Sequence, residues 1–233
     1  MNRRQFLAGT AAAATVGFRS AAAQTSTAVT PGQHDLKLGD ADRDGVFYMP
    51  RGYTPDTPAP LIVMLHGAGN TGRGVAYTFP LADEFGVVML APDSRDEATW
   101  DMLLTGYGPD VEFIGAALKR IRSLCHIDGK RIALAGHSDG ASYSLSLGIG
   151  TGDTFGHVMA FSPGVMKPAE VHGKPRLFIS HGLSDPIMPI EVTSRRFVPR
   201  LKGLGYDVTY RDYEGRHGVT QAIVREAFEW FLK

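Results

Sequence analysis

The amino-acid sequence predicts an α/β domain with a mostly parallel central sheet flanked by helices. Three observations predict it. Short continuous apolar runs recur, among them Leu61-Ile62-Val63-Met64-Leu65 and Val87-Val88-Met89-Leu90, as strands buried on both faces require. Segments with helical spacing alternate with these runs, and short connections separate them, which is the pattern of strand–helix–strand units. The 233 residues are 43% hydrophobic, enough for one sizeable core, and no internal repeat or second composition regime divides them.

In chain order, residues 46–49 read as a short strand. Residues 54–60 carry three prolines and read as a turn-rich loop, because proline cannot donate to a central ladder. The strand 61–65 follows, then a helix over 74–84 and the buried strand 87–90. Residues 93–110 are polar. Beyond them Val111, Ile114, Leu118, Ile121 and Leu124 mark one face of a helix, with Lys119, Arg120 and Arg122 off that stripe. A strand over 131–135 leads into a small, buried helix over 141–147. Strands at 158–161 and 177–180, a helix over 195–204, a strand over 208–213 and an amphipathic helix over 219–232 complete the chain.

Residues 1–23 have the composition of an export signal. Arg3-Arg4-Gln5-Phe6-Leu7 precedes a weakly apolar run, and Ala21-Ala22-Ala23 supplies small residues for cleavage after Ala23. The paired arginines resemble a twin-arginine signal, which implies transient partners in the twin-arginine export machinery and signal peptidase, and a periplasmic or secreted protein. The run is too short to span a bilayer, and no other segment approaches that length. Residues 24–39 are polar and read as a linker, leaving 40–233 as one folded domain.

Lys+Arg and Asp+Glu each number 24, so the formal charge is zero, and nothing points to a nucleic-acid partner. Cys125 is the one cysteine, so no intramolecular disulfide staples the fold. No Cys/His cluster has zinc-ligand spacing, and no metal is expected.

The strongest chemical signal is Gly136-His137-Ser138-Asp139-Gly140, a G-x-S-x-G between an expected strand and an expected helix. Small flanking residues allow a sharp turn that lifts the serine hydroxyl above the sheet, at a helix N-terminus that favours negative charge. A serine hydroxyl needs a base. His217, in Glu214-Gly215-Arg216-His217-Gly218 after the strand 208–213, is best placed. The base needs a carboxylate to hold its tautomer. Asp185, in a loop bend before Pro186, is preferred over Asp212, which lies inside the strand 208–213. Leu65-His66-Gly67-Ala68-Gly69 ends the first buried strand with a glycine-rich bend. The N–H groups of Ala68 and Asp139 are the expected oxyanion donors, and His66 the brace for the loop. An acid after the nucleophile complements the helix dipole; a substrate-facing role is the other possibility. Residues 98–109, with Trp100 and Tyr107, either line a substrate pocket or plug the core.

These four pieces, in the order serine, acid, histidine, resemble the α/β-hydrolase superfamily over nearly all of the expected mature chain. The stretches 136–150, 161–164 and 179–189 are similar to small bacterial esterases of the polyhydroxybutyrate-depolymerase-like and phospholipase/carboxylesterase groups. The resemblance implies a cofactor-free serine esterase acting on small-molecule or polymeric esters. The interval 164–175 is too short for a lid domain. A serine peptidase and a catalytically silent binding protein are the alternatives on the same scaffold.

Overall fold

The computed structural model describes residues 29–39 and 42–233. The expected signal segment 1–23 and its cleavage point lie outside them. An eight-stranded sheet forms the centre, in the order β1-β2-β4-β3-β5-β6-β7-β8. The strands are β1 (Gly32–Asp35), β2 (Gly45–Met49), β3 (Ala59–Leu65), β4 (Val88–Pro92), β5 (Ile127–His137), β6 (His157–Phe161), β7 (Arg176–Gly182) and β8 (Val208–Tyr213). β1 and β2 run antiparallel at one edge, and the other six are parallel. The helices are α1 (Phe79–Phe85), α2 (Asp101–Leu104), α3 (Pro109–Leu124), α4 (Asp139–Gly150), α5 (Ser194–Gly203) and α6 (Gln221–Leu232). This is the α/β-hydrolase arrangement.

Alternation along the strands sorts the core into two layers. Leu61, Val63 and Leu65 pack with Ile114, Leu118 and Ile121 of α3, and Ala160 and Ile179 join α4 and α5 on that face. Ile62, Met64 and Met89 meet α1 and α6 on the other face, through Leu81, Val224 and Phe228. All of β3 is buried. Each such aliphatic side chain withdrawn from water stabilises the fold by about 1.5–3 kcal/mol, which explains the uninterrupted apolar runs. Among the described residues no helix is long and apolar enough to cross a membrane.

Local chemistry moves several expected boundaries. The stretch 24–39, expected as a linker, contains β1, which pairs with β2 from Gly32↔Met49 to Asp35↔Val46. Its polar side chains suit an exposed edge strand, so composition alone hid it. Pro60 lies inside β3, not in the preceding loop. The register against β5 shifts between Ala59 and Leu61, and a ladder irregularity is where a proline's missing N–H costs least. α4 starts at Asp139, two residues early, because Ser138 already makes the turn. α6 starts at Gln221 because the Thr220 hydroxyl accepts the Ile223 N–H and caps the helix.

No lid domain separates β6 from β7. The connection 162–175 is fastened to α4: the Ser142 hydroxyl oxygen accepts N–H bonds from Gly164 and Val165, and Ser146 accepts one from Lys167. The segment expected to be merely polar, 93–110, contains α2 and is organised by two buried carboxylates. Asp110 accepts the N–H groups of Arg95 and Asp101 at 2.6 and 2.7 Å. Asp101 accepts those of Gly108 and Asp110 and the Tyr143 hydroxyl, each at 2.9 Å. Burial pushes the Asp110 carboxyl above its ordinary range, opposed by its backbone donors. Asp110→Ala leaves two buried N–H groups without an acceptor and should lower unfolding stability by about 2–4 kcal/mol, read from urea denaturation.

Candidate active site

The chain departs from β3 toward β4 on one side of the sheet, while β5 lies on the other, so strand order reverses between β3 and β5. A crevice opens beyond the carboxyl ends of strands at such a reversal. Leu65 of β3 pairs with Gly136 of β5 at that end, and Ser138 follows directly. Ser138 has φ 57° and ψ −119°. A positive φ in a non-glycine residue costs about 1–3 kcal/mol and persists only where the surroundings impose it. Here they do. A Cβ on Gly136 would lie 2.2 Å from the Gly140 carbonyl oxygen, and one on Gly140 would lie 2.4 Å from that of Leu65. Both glycines are therefore steric requirements of the turn. The Ser138 N–H is tied to the Phe161 carbonyl at 3.0 Å.

The three residues singled out by motif and order converge. His217 Nε2 lies 2.8 Å from Ser138 Oγ, and His217 Nδ1 lies 2.7 Å from Asp185 Oδ2. A carboxylate can only accept, so Nδ1 carries the proton and Nε2 presents its lone pair to the serine hydroxyl. The other carboxylate oxygen, Asp185 Oδ1, accepts the N–H groups of Ile187 and Met188 at 2.9 Å each. Burial pushes the Asp185 carboxyl up, but the Met188, His217 and Ile187 donors outweigh it, and the net direction is down. Asp212, the rival acid, sits on β8, 3.6 Å from Arg195, and takes no part.

The loop after β3 is held against this turn. A Cβ on Gly67 would lie 3.4 Å from Ser138 Cβ, so Gly67 borders the Ser138 turn. His66 Nδ1–H donates to the Gly67 carbonyl at 2.8 Å, and Nε2 accepts the Ser94 N–H at 3.0 Å. Burial keeps this imidazole neutral by lowering its pKa. Gly69 N–H donates to the Ala98 carbonyl at 2.8 Å. Asp139 opens α4, and its carboxylate accepts the Thr99 hydroxyl at 2.6 Å. The acid after Ser138 thus ties segment 94–100 to the start of the helix.

Trp100 does not line a pocket. It is fully buried, donates Nε1–H to the His66 carbonyl at 2.9 Å and packs at a tilt between the rings of His66 and Tyr143. An indole with one donor and a large apolar face fits where a backbone carbonyl meets the core. Tyr107, in the connection between α2 and α3, packs its ring 5.7 Å from that of Tyr143 on α4. It borders a cavity of about 160 Å³ with Val111, Ser146, Leu147 and Thr151, a lining that does not include Ser138. Two residues at the site escaped sequence analysis. His137 packs its ring 5.1 Å from that of His217. Burial, then the neighbouring His217, lowers its pKa to about 4, so it stays neutral. His181 ends β7 and reaches Asp185. The only signal for either was position: one directly precedes the serine, and the other lies four residues before the acid.

Asp185, with its pKa held below the ordinary carboxylate value of 3.8, contributes stability that is fully present above that value and lost as pH falls through its folded pKa. Asp185→Asn should therefore be less stable than the parent at pH 7. The gap should narrow below about pH 3.8, as thermal melts across a pH series will show.

Comparison with known proteins places the chain in a family and supports its fold. The family model described as phospholipase/carboxylesterase matches residues 85–232. Acyl-protein thioesterase 1 of Gibberella zeae is 26% identical over 191 residues, which cover 66% of this chain and 81% of that protein. Feruloyl esterase C of Emericella nidulans is 28% identical over 155 residues, covering 64% of this chain and 57% of the relative. Among solved structures, esterase PE8 superposes with a TM-score of 0.67 at 22% identity, covering 82% of this chain and 98% of its own. A phospholipase/carboxylesterase from Dyadobacter fermentans gives 0.64 at 20%, covering 82% and 97%. With the family model spanning more than half of its length, and with the sheet order and turn described above, the chain belongs to the phospholipase/carboxylesterase family.

Proposed function

We propose that this protein hydrolyses carboxylic esters through an acyl-enzyme, with Ser138 as nucleophile, His217 as general base and acid, and Asp185 as the orienting carboxylate. The observation that carries this reading is the unbroken series Ser138 Oγ, His217 and Asp185, at 2.8 and 2.7 Å. Ser138 attacks the ester carbonyl while its proton passes to His217 Nε2. Asp185 stabilises the imidazolium and stays ionised. The N–H groups of Ala68 and Asp139 receive the oxyanion. His217 then returns the proton to the leaving alcohol, and water repeats the sequence on the acyl-enzyme. The names of the relatives, an acyl-protein thioesterase and a feruloyl esterase, support acyl transfer to water as the reaction class.

The substrate enters from an open side in this proposal. The connection after β6 is short and bound to α4, which favours bulky or surface-presented esters over long acyl chains that need a closed tunnel. Export by a twin-arginine signal to the periplasm or beyond belongs to the same proposal, supported by Arg3, Arg4 and the alanines before residue 24. Ser138→Ala should abolish labelling by a fluorophosphonate probe and cut hydrolysis of p-nitrophenyl butyrate at least a thousandfold, to order of magnitude. Cleavage of an aminoacyl anilide in preference to that ester would replace the esterase reading with a peptidase.

A further inference from the structure

Asp185 serves two imidazoles, not one. Besides His217, His181 Nε2 lies 3.2 Å from the same Oδ2 atom, and the His181 and Asp185 side chains are both 0% exposed. His181 Nε2 also lies 2.7 Å from the Met188 carbonyl, while its Nδ1 lies 2.7 Å from the hydroxyl of Ser194, the first residue of α5. A carbonyl only accepts, so Nε2 must carry the proton, and Nδ1 must accept the Ser194 O–H. A series of close polar contacts therefore runs from Ser194 through His181, Asp185 and His217 to Ser138, hydrogen-bonded at each link except the 3.2 Å approach of His181 to Asp185, with one carboxylate between two serine–histidine pairs. Ser194 is fully buried, so the second pair has no route to substrate.

Taking the proposed acyl-enzyme chemistry as given, we infer that His181 is a positioning residue whose shared Nε2–H both orients the Asp185 carboxylate and moderates the charge that Oδ2 presents to His217. The geometry closes on itself. His181 donates to the Met188 carbonyl, the Met188 N–H donates to Asp185 Oδ1, and the remaining reach of the His181 proton falls on Oδ2. The carboxylate is thus held at Oδ1 by two N–H groups and approached at Oδ2 by the His181 N–H, which favours the orientation facing His217. The positive end of the His181 N–H dipole, 3.2 Å from Oδ2, also offsets negative charge on the oxygen that faces the imidazolium in the transition state. Burial lowers the His181 pKa, which keeps the ring neutral and its tautomer constant. The other titratable groups facing Asp185 and His217 are His137 from the end of β5 and Tyr213 from the end of β8.

The experiment compares His181→Phe, His181→Gln and Ser194→Ala with the parent, using p-nitrophenyl butyrate across a pH series and the low-field proton resonance of His217 Nδ1–H. His181→Phe should lower kcat on the order of tenfold with KM little changed, the scale of one hydrogen bond to a charged group. The acid limb of kcat/KM should move to higher pH, by about half a unit, because Oδ2 then offers His217 more charge. The low-field resonance should shift as well. His181→Gln, whose amide N–H replaces the donor, should recover most of the rate. Should His181→Phe fail to fold, Ser194→Ala decides. It frees the Nδ1 side of the ring and should lower kcat a few-fold, with the acid limb moving in the same sense. Variants that lose activity only in proportion to lost folded protein, with limb and resonance unmoved, overturn the inference, as do variants that retain parental kcat and pH profile. A parent enzyme that resists the fluorophosphonate probe would instead sink the proposed function itself.

Discussion

Close approach of backbone to backbone at the carboxyl ends of β3 and β5 is the constraint on which the rest of the molecule depends. α4 begins so near the Leu65 carbonyl that Gly140 has no room for a Cβ, and the chain reaches it only through a positive φ at Ser138. That strained turn is held by the buried ladder on either side, where β5 pairs with β3 and β6. The stability of the sheet is what keeps the hydroxyl of residue 138 in a position that an isolated peptide would not adopt.

Around this turn the fold supplies support in two directions. Toward β4, the segment 94–100 braces the loop after β3 through His66, Ala98 and Trp100, and braces the start of α4 through Thr99 and Asp139. Toward β7, the bend 185–188 and His181 hold the carboxylate. Each support uses a buried polar group with its hydrogen bonds satisfied, which specifies one geometry where apolar packing would tolerate several. A hydrolytic site needs its groups held to a fraction of an ångström, and these networks are how a small chain with one cysteine achieves it without disulfides.

Much of this was legible in the linear pattern. Buried strands announce themselves as unbroken apolar runs, and β3, β4 and β7 stand near where those runs lie. The serine stood out because glycines bracket it between a strand and a helix. β1 was hidden because an edge strand needs no apolar run. Pro60 misled because a proline rule for regular ladders does not hold at a bulge. Composition left Trp100 open between pocket wall and core plug, and the choice fell to the core because its indole satisfies a buried carbonyl 34 positions away.

By itself the sequence determined the class of fold, the order in which Ser138, Asp185 and His217 follow one another, and the sharpness of the turn at residue 138, because periodicity and glycine placement are local properties of the chain. Tertiary structure alone decided that His181 shares the carboxylate with His217, that Thr99 holds Asp139, and that the 162–175 connection is fastened to α4. These are contacts between segments distant along the chain or brought to a common point by a bend, and they exist only where the sheet sets the distances.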